Sequence, residues 1–108
     1  MRRVVFLGDS LEMIRDFPAG ARREAGFQID RVQRGLDPDD WKPIKSVGPG
    51  VREIRVRDRA GAFRVIYVAT FSDAVFVLHA FQKKMQATPR RDLELATVRF
   101  KLLAQRNT

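Results

Sequence analysis

Apolar positions along the chain change period several times, and each change marks an element. Arg3 to Leu7 is a short run of β-formers and predicts a strand. Asp9 stands three residues before Glu12, the spacing of a capping box, and Leu11, Ile14 and Phe17 supply one apolar face of a short helix. Pro18 suits the first position of a second helix, where its missing N–H has no intrahelical partner to lose. In that helix Ala21, Ala25, Ile29 and Val32 recur at three- and four-residue steps, which buries one face and leaves Arg22, Arg23, Asp30, Arg31 and Arg34 to water. Gly35 suits its C-cap and Asp37-Pro38 prevents its continuation, so the two segments predict a helical hairpin.

Residues 36–50 read as a loop, punctuated by Pro38, Pro43, Gly48, Pro49 and Gly50. Three strands are predicted after it, Val51–Arg57, Phe63–Phe71 and Ala74–Phe81, joined by Asp58-Arg59-Ala60-Gly61 and by Ser72-Asp73. The last strand is apolar at nearly every position, so both of its faces are expected to be covered or paired. Thr88-Pro89 opens a final helix with Leu93, Ala96, Phe100 and Leu103 on one stripe. The order β-α-α-β-β-β-α predicts an α+β fold, a small antiparallel sheet with an N-terminal helical hairpin and a C-terminal helix, all packed on one face. Neither a repeat nor a long linker divides the chain, and residues 1–108 are read as one domain.

Register brings in the first chemistry. In the first long strand Ile54 and Val56 alternate with Glu53, Arg55 and Arg57; in the next, Phe63, Val65 and Tyr67 alternate with Arg64, Ile66 and Val68. Pairing Val56 with Phe63 and Ile54 with Val65 puts both apolar sets on one side. The same pairing sets Arg55 directly opposite Arg64 on the other side, an arrangement that repels unless an anion sits between them. Against this stands a plainer reading, with the two arginines separately solvated or paired with Glu53 and Asp58.

Charge strengthens the case for a polyanionic partner. The 108 residues carry 21 Lys and Arg against 13 Asp and Glu, a formal net charge of +8, and the excess gathers toward the C-terminus. Such an excess favours nucleic acid through counterion release, without by itself separating RNA, DNA and an acidic protein. The chain has no cysteine, which excludes disulfides and thiolate metal sites and fits a reducing cytoplasm. The apolar stretch from Val4 to Leu7 is too short for a signal peptide, and no run reaches membrane length; a soluble cytoplasmic protein is expected. Nothing resembles a Gly-rich phosphate loop, a metal cluster or a serine triad, so neither cofactor nor metal is expected.

Three segments, in order, resemble a known family. They are Lys42-Pro43-Ile44-Lys45-Ser46-Val47-Gly48-Pro49-Gly50-Val51-Arg52-Glu53-Ile54-Arg55, then Phe63-Arg64-Val65-Ile66-Tyr67, then Leu78-His79-Ala80-Phe81-Gln82-Lys83-Lys84 followed by Thr88-Pro89. Together they resemble the phage-derived HigB-like branch of the RelE/ParE toxin superfamily. The resemblance implies the toxin of a type II toxin–antitoxin system that inhibits translation as an mRNA endoribonuclease, cutting in the ribosomal A site without metal. The implied chemistry is attack of a ribose 2′-hydroxyl on the adjacent phosphate to leave a cyclic phosphate, which needs cations, a base and an acid. The implied partners are the ribosome, mRNA and a cognate helix-turn-helix antitoxin, with which a hetero-oligomer would form, and no membrane. Within the same superfamily the alternative function is a ParE-like, non-catalytic inhibitor of DNA gyrase.

The resemblance marks Arg64 as the phosphate clamp, Arg55 as the basic residue of the preceding strand, and Lys84 with Lys83 as the basic pair after the last strand. Arg57, Lys45 and Arg90 are candidate RNA-binding residues. The tyrosine that RelE carries beyond the last strand has no counterpart, since Tyr67 is the only tyrosine and is predicted on the apolar face; a RelE strand lysine is replaced by Glu53. His79 is a candidate acid or base because it titrates near neutrality, although its apolar strand favours a hydrogen-bonded core histidine. Trp41 is expected to plug the loop onto the core rather than stack on a base. The Leu93–Leu103 stripe is core or antitoxin interface, and Arg90, Arg91, Arg99, Lys101 and Arg106 form a solvated face able to rest on ribosomal RNA.

Overall fold

The apolar periodicities translate into β1 (Arg3–Phe6), α1 (Ser10–Arg15), α2 (Ala19–Gln33), β2 (Trp41–Pro43), β3 (Val51–Asp58), β4 (Gly61–Val68), β5 (Ala74–Lys83) and α3 (Arg90–Arg106). The structure is a computed structural model that describes residues 1–71 and 74–106. The five strands form one sheet in the order β1-β5-β4-β3-β2. The long strands pair antiparallel as expected, while β1 joins β5 in parallel at one edge. Val56 faces Phe63, Ile54 faces Val65, and Arg55 faces Arg64. The ladder runs on to Asp58–Gly61, which tightens the turn to Arg59-Ala60. The turn expected at Ser72-Asp73 lies outside the described residues.

Two expectations about layering are corrected. The helices do not share a face. The α1–α2 hairpin buries Ile14, Phe17, Ala21, Ala25, Ile29 and Val32 against Ile54, Val56, Phe63, Val65, Tyr67 and Val77. The other face carries Ile66, Val68, Phe76 and Leu78, apolar residues of the opposite parity that also need cover, and α3 supplies it with Ala96, Phe100 and Leu103. The stretch 36–50 is not all loop, because Trp41–Pro43 pairs with Ile54–Arg52 as a short edge strand. Three residues ending in proline carry almost no strand signal, and an edge position tolerates the missing N–H. Strand β4 stops at Val68 rather than Phe71, and the Phe71 ring packs beside Phe76 and Phe100, with centroids 6.5 and 5.9 Å away.

Helix ends follow the sequence closely, with Pro18 at the N-cap of α2 rather than its first position and one change of partner at α1. At the end of α2 the Leu36 N–H donates to the Arg31 carbonyl and the Gly35 N–H to that of Val32, a Schellman closure with Gly35 at φ +82°. At the start of α1, Asp9 occupies the N-cap position, but its side chain makes no cap hydrogen bond there. It accepts instead from the Arg99 guanidinium of α3 at 2.8 Å, so a tertiary ion pair displaces the capping box.

Gly48 shows how closely the 36–50 segment seats. A Cβ placed there would come within 2.3 Å of the Phe100 ring, which is core and cannot swing away cheaply. Gly48→Ala is expected to destabilise the fold by about 1–3 kcal/mol through overpacking. A thermal melt unchanged to within a degree would show that the segment yields instead.

Candidate nucleic-acid interface

Strand register assembles the site. On the α3 side of the sheet, Arg55 of β3, Arg64 of β4 and Phe81 of β5 lie in one cross-strand row, with Arg57, Ala62 and Lys83 in the row beside it. On the other flank Lys42 of β2, Glu53, Ile66 and His79 form a third row. Five cations, Lys42, Arg55, Arg57, Arg64 and Lys83, thus gather on one face of the sheet across the four strands β2 to β5.

The two facing arginines differ in kind. Arg55 is partly exposed and sits 3.7 Å from the Asp40 carboxylate. Arg64, expected on an open face, is only 6% exposed. Its Nε lies 3.5 Å from Oε1 of Glu53, which is fully buried, and its Nη1 donates to the Phe63 carbonyl at 3.0 Å. The plainer reading of Arg64 is therefore partly what the fold adopts, since Glu53 is the anion beside it. The second Glu53 oxygen accepts from the Thr88 hydroxyl at 3.1 Å, and Lys42 Nζ stands 3.8 Å from the first. Glu53 Oε1 and Arg64 Nε are buried without a hydrogen bond of good geometry, so the pair meets as charges rather than as a closed fork. Burial pulls the Arg64 pKa below the ordinary arginine value, Glu53 and Asp40 oppose that, and Arg55 and Arg57 add to it.

The remaining predicted residues separate into near and far. Lys83 is half-buried beside Arg64; desolvation, then the Arg64 charge, lowers its pKa below the ordinary lysine value. Arg57 and Lys84 are exposed at the border of the patch. Lys45 lines a cleft of about 350 Å³ together with Lys42, Ser46 and Thr88, which leads to the buried Glu53. Arg90 points away and pairs with Glu94 one helical turn on, an exposed contact of little energetic weight.

His79 stands apart from the cations. It is 2% exposed, and the ring of Phe81, stacked on it at 5.5 Å, lies between it and Arg64. A register shift sets His79 opposite Ile66 and Val77 opposite Tyr67, which leaves Leu78 unpaired and turns Leu78 and His79 toward the same face. Arg99 Nη1 lies 3.3 Å from Nδ1, so Nδ1 accepts and Nε2 carries the proton that it donates to Asp92 at 2.6 Å. Both nitrogens are committed to holding α3 on the sheet, and the Arg99 guanidinium continues to Asp9, whose pKa its hydrogen bond lowers. This is the geometry of a hydrogen-bonded core histidine.

Tyr67 lies on the hairpin face as predicted, 2% exposed, with its pKa raised by burial and its hydroxyl bonded to Arg52. Trp41 departs from expectation. It is half-exposed and carries the Arg52 guanidinium over its ring at 3.8 Å instead of entering the core. Sequence reasoning passed over Asp40 and Lys42, and it named Glu53 as an alternative partner of the arginines without placing it as a buried counter-charge. Only the Glu53 signal was present, as an acid at an alternating position otherwise held by arginines. Among the described residues no three His, Asp or Glu side chains converge as a metal site, and no helix is long and apolar enough to cross a membrane.

In comparison with known proteins, the profile of a family described as "Phage derived protein Gp49-like (DUF891)" matches residues 12–101. No curated protein matches the chain.

Proposed function

The chain belongs to the phage-derived Gp49-like family, within the RelE/HigB-like toxin superfamily, and from that premise we propose that it is a toxin of a toxin–antitoxin pair that cleaves mRNA on the ribosome. The observation that carries the reading is the cross-strand pairing of Arg55 with Arg64, with Lys83 in the neighbouring row. Like charges placed opposite each other are destabilising. Glu53 beside Arg64 and Asp40 beside Arg55 offset part of that charge, and a phosphate bound over Arg55 and Lys83 would offset the rest.

In this reading the 2′-hydroxyl of one nucleotide gives up its proton to water as its oxygen attacks the adjacent phosphorus, the bond to the 5′-oxygen breaks, and a cyclic phosphate and a 5′-hydroxyl result. Arg55 and Lys83 face the phosphate and offset the charge that grows on it. Arg64 acts from beneath, through its charge and by fixing the position of its neighbours. Lys83 protonates the leaving oxygen, a task suited to a lysine whose pKa is lowered. Arg57, Lys84 and Lys45 bind flanking phosphates along the patch border and the cleft. His79 takes no part in the chemistry and secures α3. With cations but no free histidine beside them, the site depends on a substrate already aligned for attack, which is what an A-site codon held by the ribosome provides.

Primer extension on mRNA, after induction and in vitro with and without ribosomes, tests the proposal. Breaks within reading frames only when ribosomes are present are expected. Growth arrest with intact transcripts and altered DNA supercoiling would replace this reading with gyrase inhibition. Cleavage is also expected to persist when chelators remove transition metals at constant magnesium. A strict requirement for added manganese or zinc would overturn the cation-only chemistry.

A further inference from the structure

Helix α3 carries two apolar stripes, and the fold uses one of them. Ala96, Phe100 and Leu103 enter the core. On the outer side Leu95, Val98 and Leu102 follow one another at three- and four-residue steps, and Val98 and Leu102 remain 57% and 56% exposed. Beside them runs a groove of about 410 Å³ between α3 and the segment after β1, walled by Leu7, Val98, Leu102 and Leu103 with Arg99 and Arg106 as its charged members.

We propose that this groove is the docking site of an acidic amphipathic helix from the antitoxin, a proposal that rests on the toxin reading above. A stripe stepping by three and four is the narrow seam that a second helix covers, and an exposed seam of this kind on a water-facing helix is otherwise a liability. Charge selects the partner. Arg91, Lys101 and Arg106 are exposed on α3 and have no acidic partner among the described residues, while its acids Asp92 and Glu94 are already engaged by His79 and Arg90. A second copy would bring +8 against +8. An acidic helix gains both the apolar seam and the unpaired cations.

Position says how such a partner works. The groove lies at the β1 edge, and the strand order places β5 and β4 between it and Arg55 on β3. β1 meets β5 only at Ala74–Val77, which leaves Lys83 at the far end of that strand. A helix seated in the groove therefore leaves Arg55, Arg64 and Lys83 uncovered, and it inhibits by keeping the toxin out of the A site through bulk.

The test titrates the isotope-labelled full chain with a designed peptide of about three heptads, leucine at the seam positions and glutamate elsewhere. A scrambled peptide of equal composition and phosphatidylserine vesicles serve as the other arms. Amide shifts centred on Leu7, Val98 and Leu102 are expected, with affinity falling about tenfold or more in Val98→Glu/Leu102→Glu. Because both side chains are exposed, that variant should keep its melting temperature. Equal binding of the scrambled peptide, shifts centred on Arg55 and Lys83, or vesicle binding lost in the variant would overturn the proposal. So would a wild-type dimer that the variant disperses. Toxicity is read separately: a wild-type chain that neither arrests growth nor cleaves mRNA, yet seats the peptide at Val98 and Leu102, refutes the toxin and leaves the groove standing.

Discussion

Glu53→Ala is expected to destabilise the protein by about 3–5 kcal/mol, the range seen when one member of a buried ion pair is removed. Glu53 is fully buried and, among the described residues, is the acid that forms an ion pair with Arg64, itself 6% exposed. Without it a guanidinium would remain in a dry site with Arg55 across the ladder and Lys42 on the next strand. For a domain of this size that corresponds to a melting temperature lower by more than about 10 °C. Removing both charges has the opposite logic, since no desolvated ion is left behind. Glu53→Met/Arg64→Met is therefore expected to be more stable than Glu53→Ala alone, while losing cleavage. If Glu53→Ala melts within a few degrees of the wild type, the pair is not a buried counter-charge and Arg64 finds another partner. The same burial limits what Arg64→Ala can report, because a loss of activity in that variant mixes chemistry with folding.

Where the sequence carried the fold, it did so through period. The step of Ala21, Ala25, Ile29 and Val32 has one helical solution, and the alternation around Ile54 and Val65 has one register that keeps both sets on a side. That register placed Arg55 opposite Arg64 before any coordinates. The continuous apolar run of the last strand did say that both its faces are covered, but Ile66 and Val68 fell between the inward residues of their strand and were not read with Phe76 and Leu78 as a second core. Once they are read that way, α3 must lie opposite the hairpin. The strand Trp41–Pro43 was invisible for a different reason: three residues fix no period, and only pairing with β3 defines it.

The site was legible as a set of charges and illegible as a set of depths. Alternation says which side an arginine faces but not what covers that side. Arg55 and Arg64 share a face, yet the first is partly exposed while the second is buried beside Glu53, whose other oxygen Thr88 holds. The partners of His79, Asp92 and Arg99, are 13 and 20 residues away and meet it only when α3 docks. An acid at an alternating position otherwise held by arginines was the usable sign. A buried acid among arginines has to be paired, and Glu53 with Arg64 is the pair the ladder allows.

Lys83→Met is expected to slow cleavage about a hundredfold or more while leaving the melt nearly unchanged, because the side chain is half-buried at the end of β5 and bonds no core group among the described residues. Two roles could produce that loss, and pH separates them. An acid works in its protonated form, so its contribution is complete below its pKa and disappears as pH rises through it. Desolvation and Arg64 bring that pKa below the ordinary 10.5 of lysine, so the alkaline limb of the rate falls earlier than a free lysine would allow. Lys83→Arg keeps the charge but holds its proton too tightly to donate, so it should bind RNA normally and cleave slowly with no such limb. Arg55→Gln removes a neighbouring cation that also lowers the Lys83 pKa, and should shift the limb to higher pH besides reducing the rate. The measurement is single-turnover cleavage on programmed ribosomes across pH, for wild type and the three variants. If the limb stays in place in Lys83→Met, the titrating group belongs to the ribosome or the RNA, and Lys83 serves only as a fixed charge.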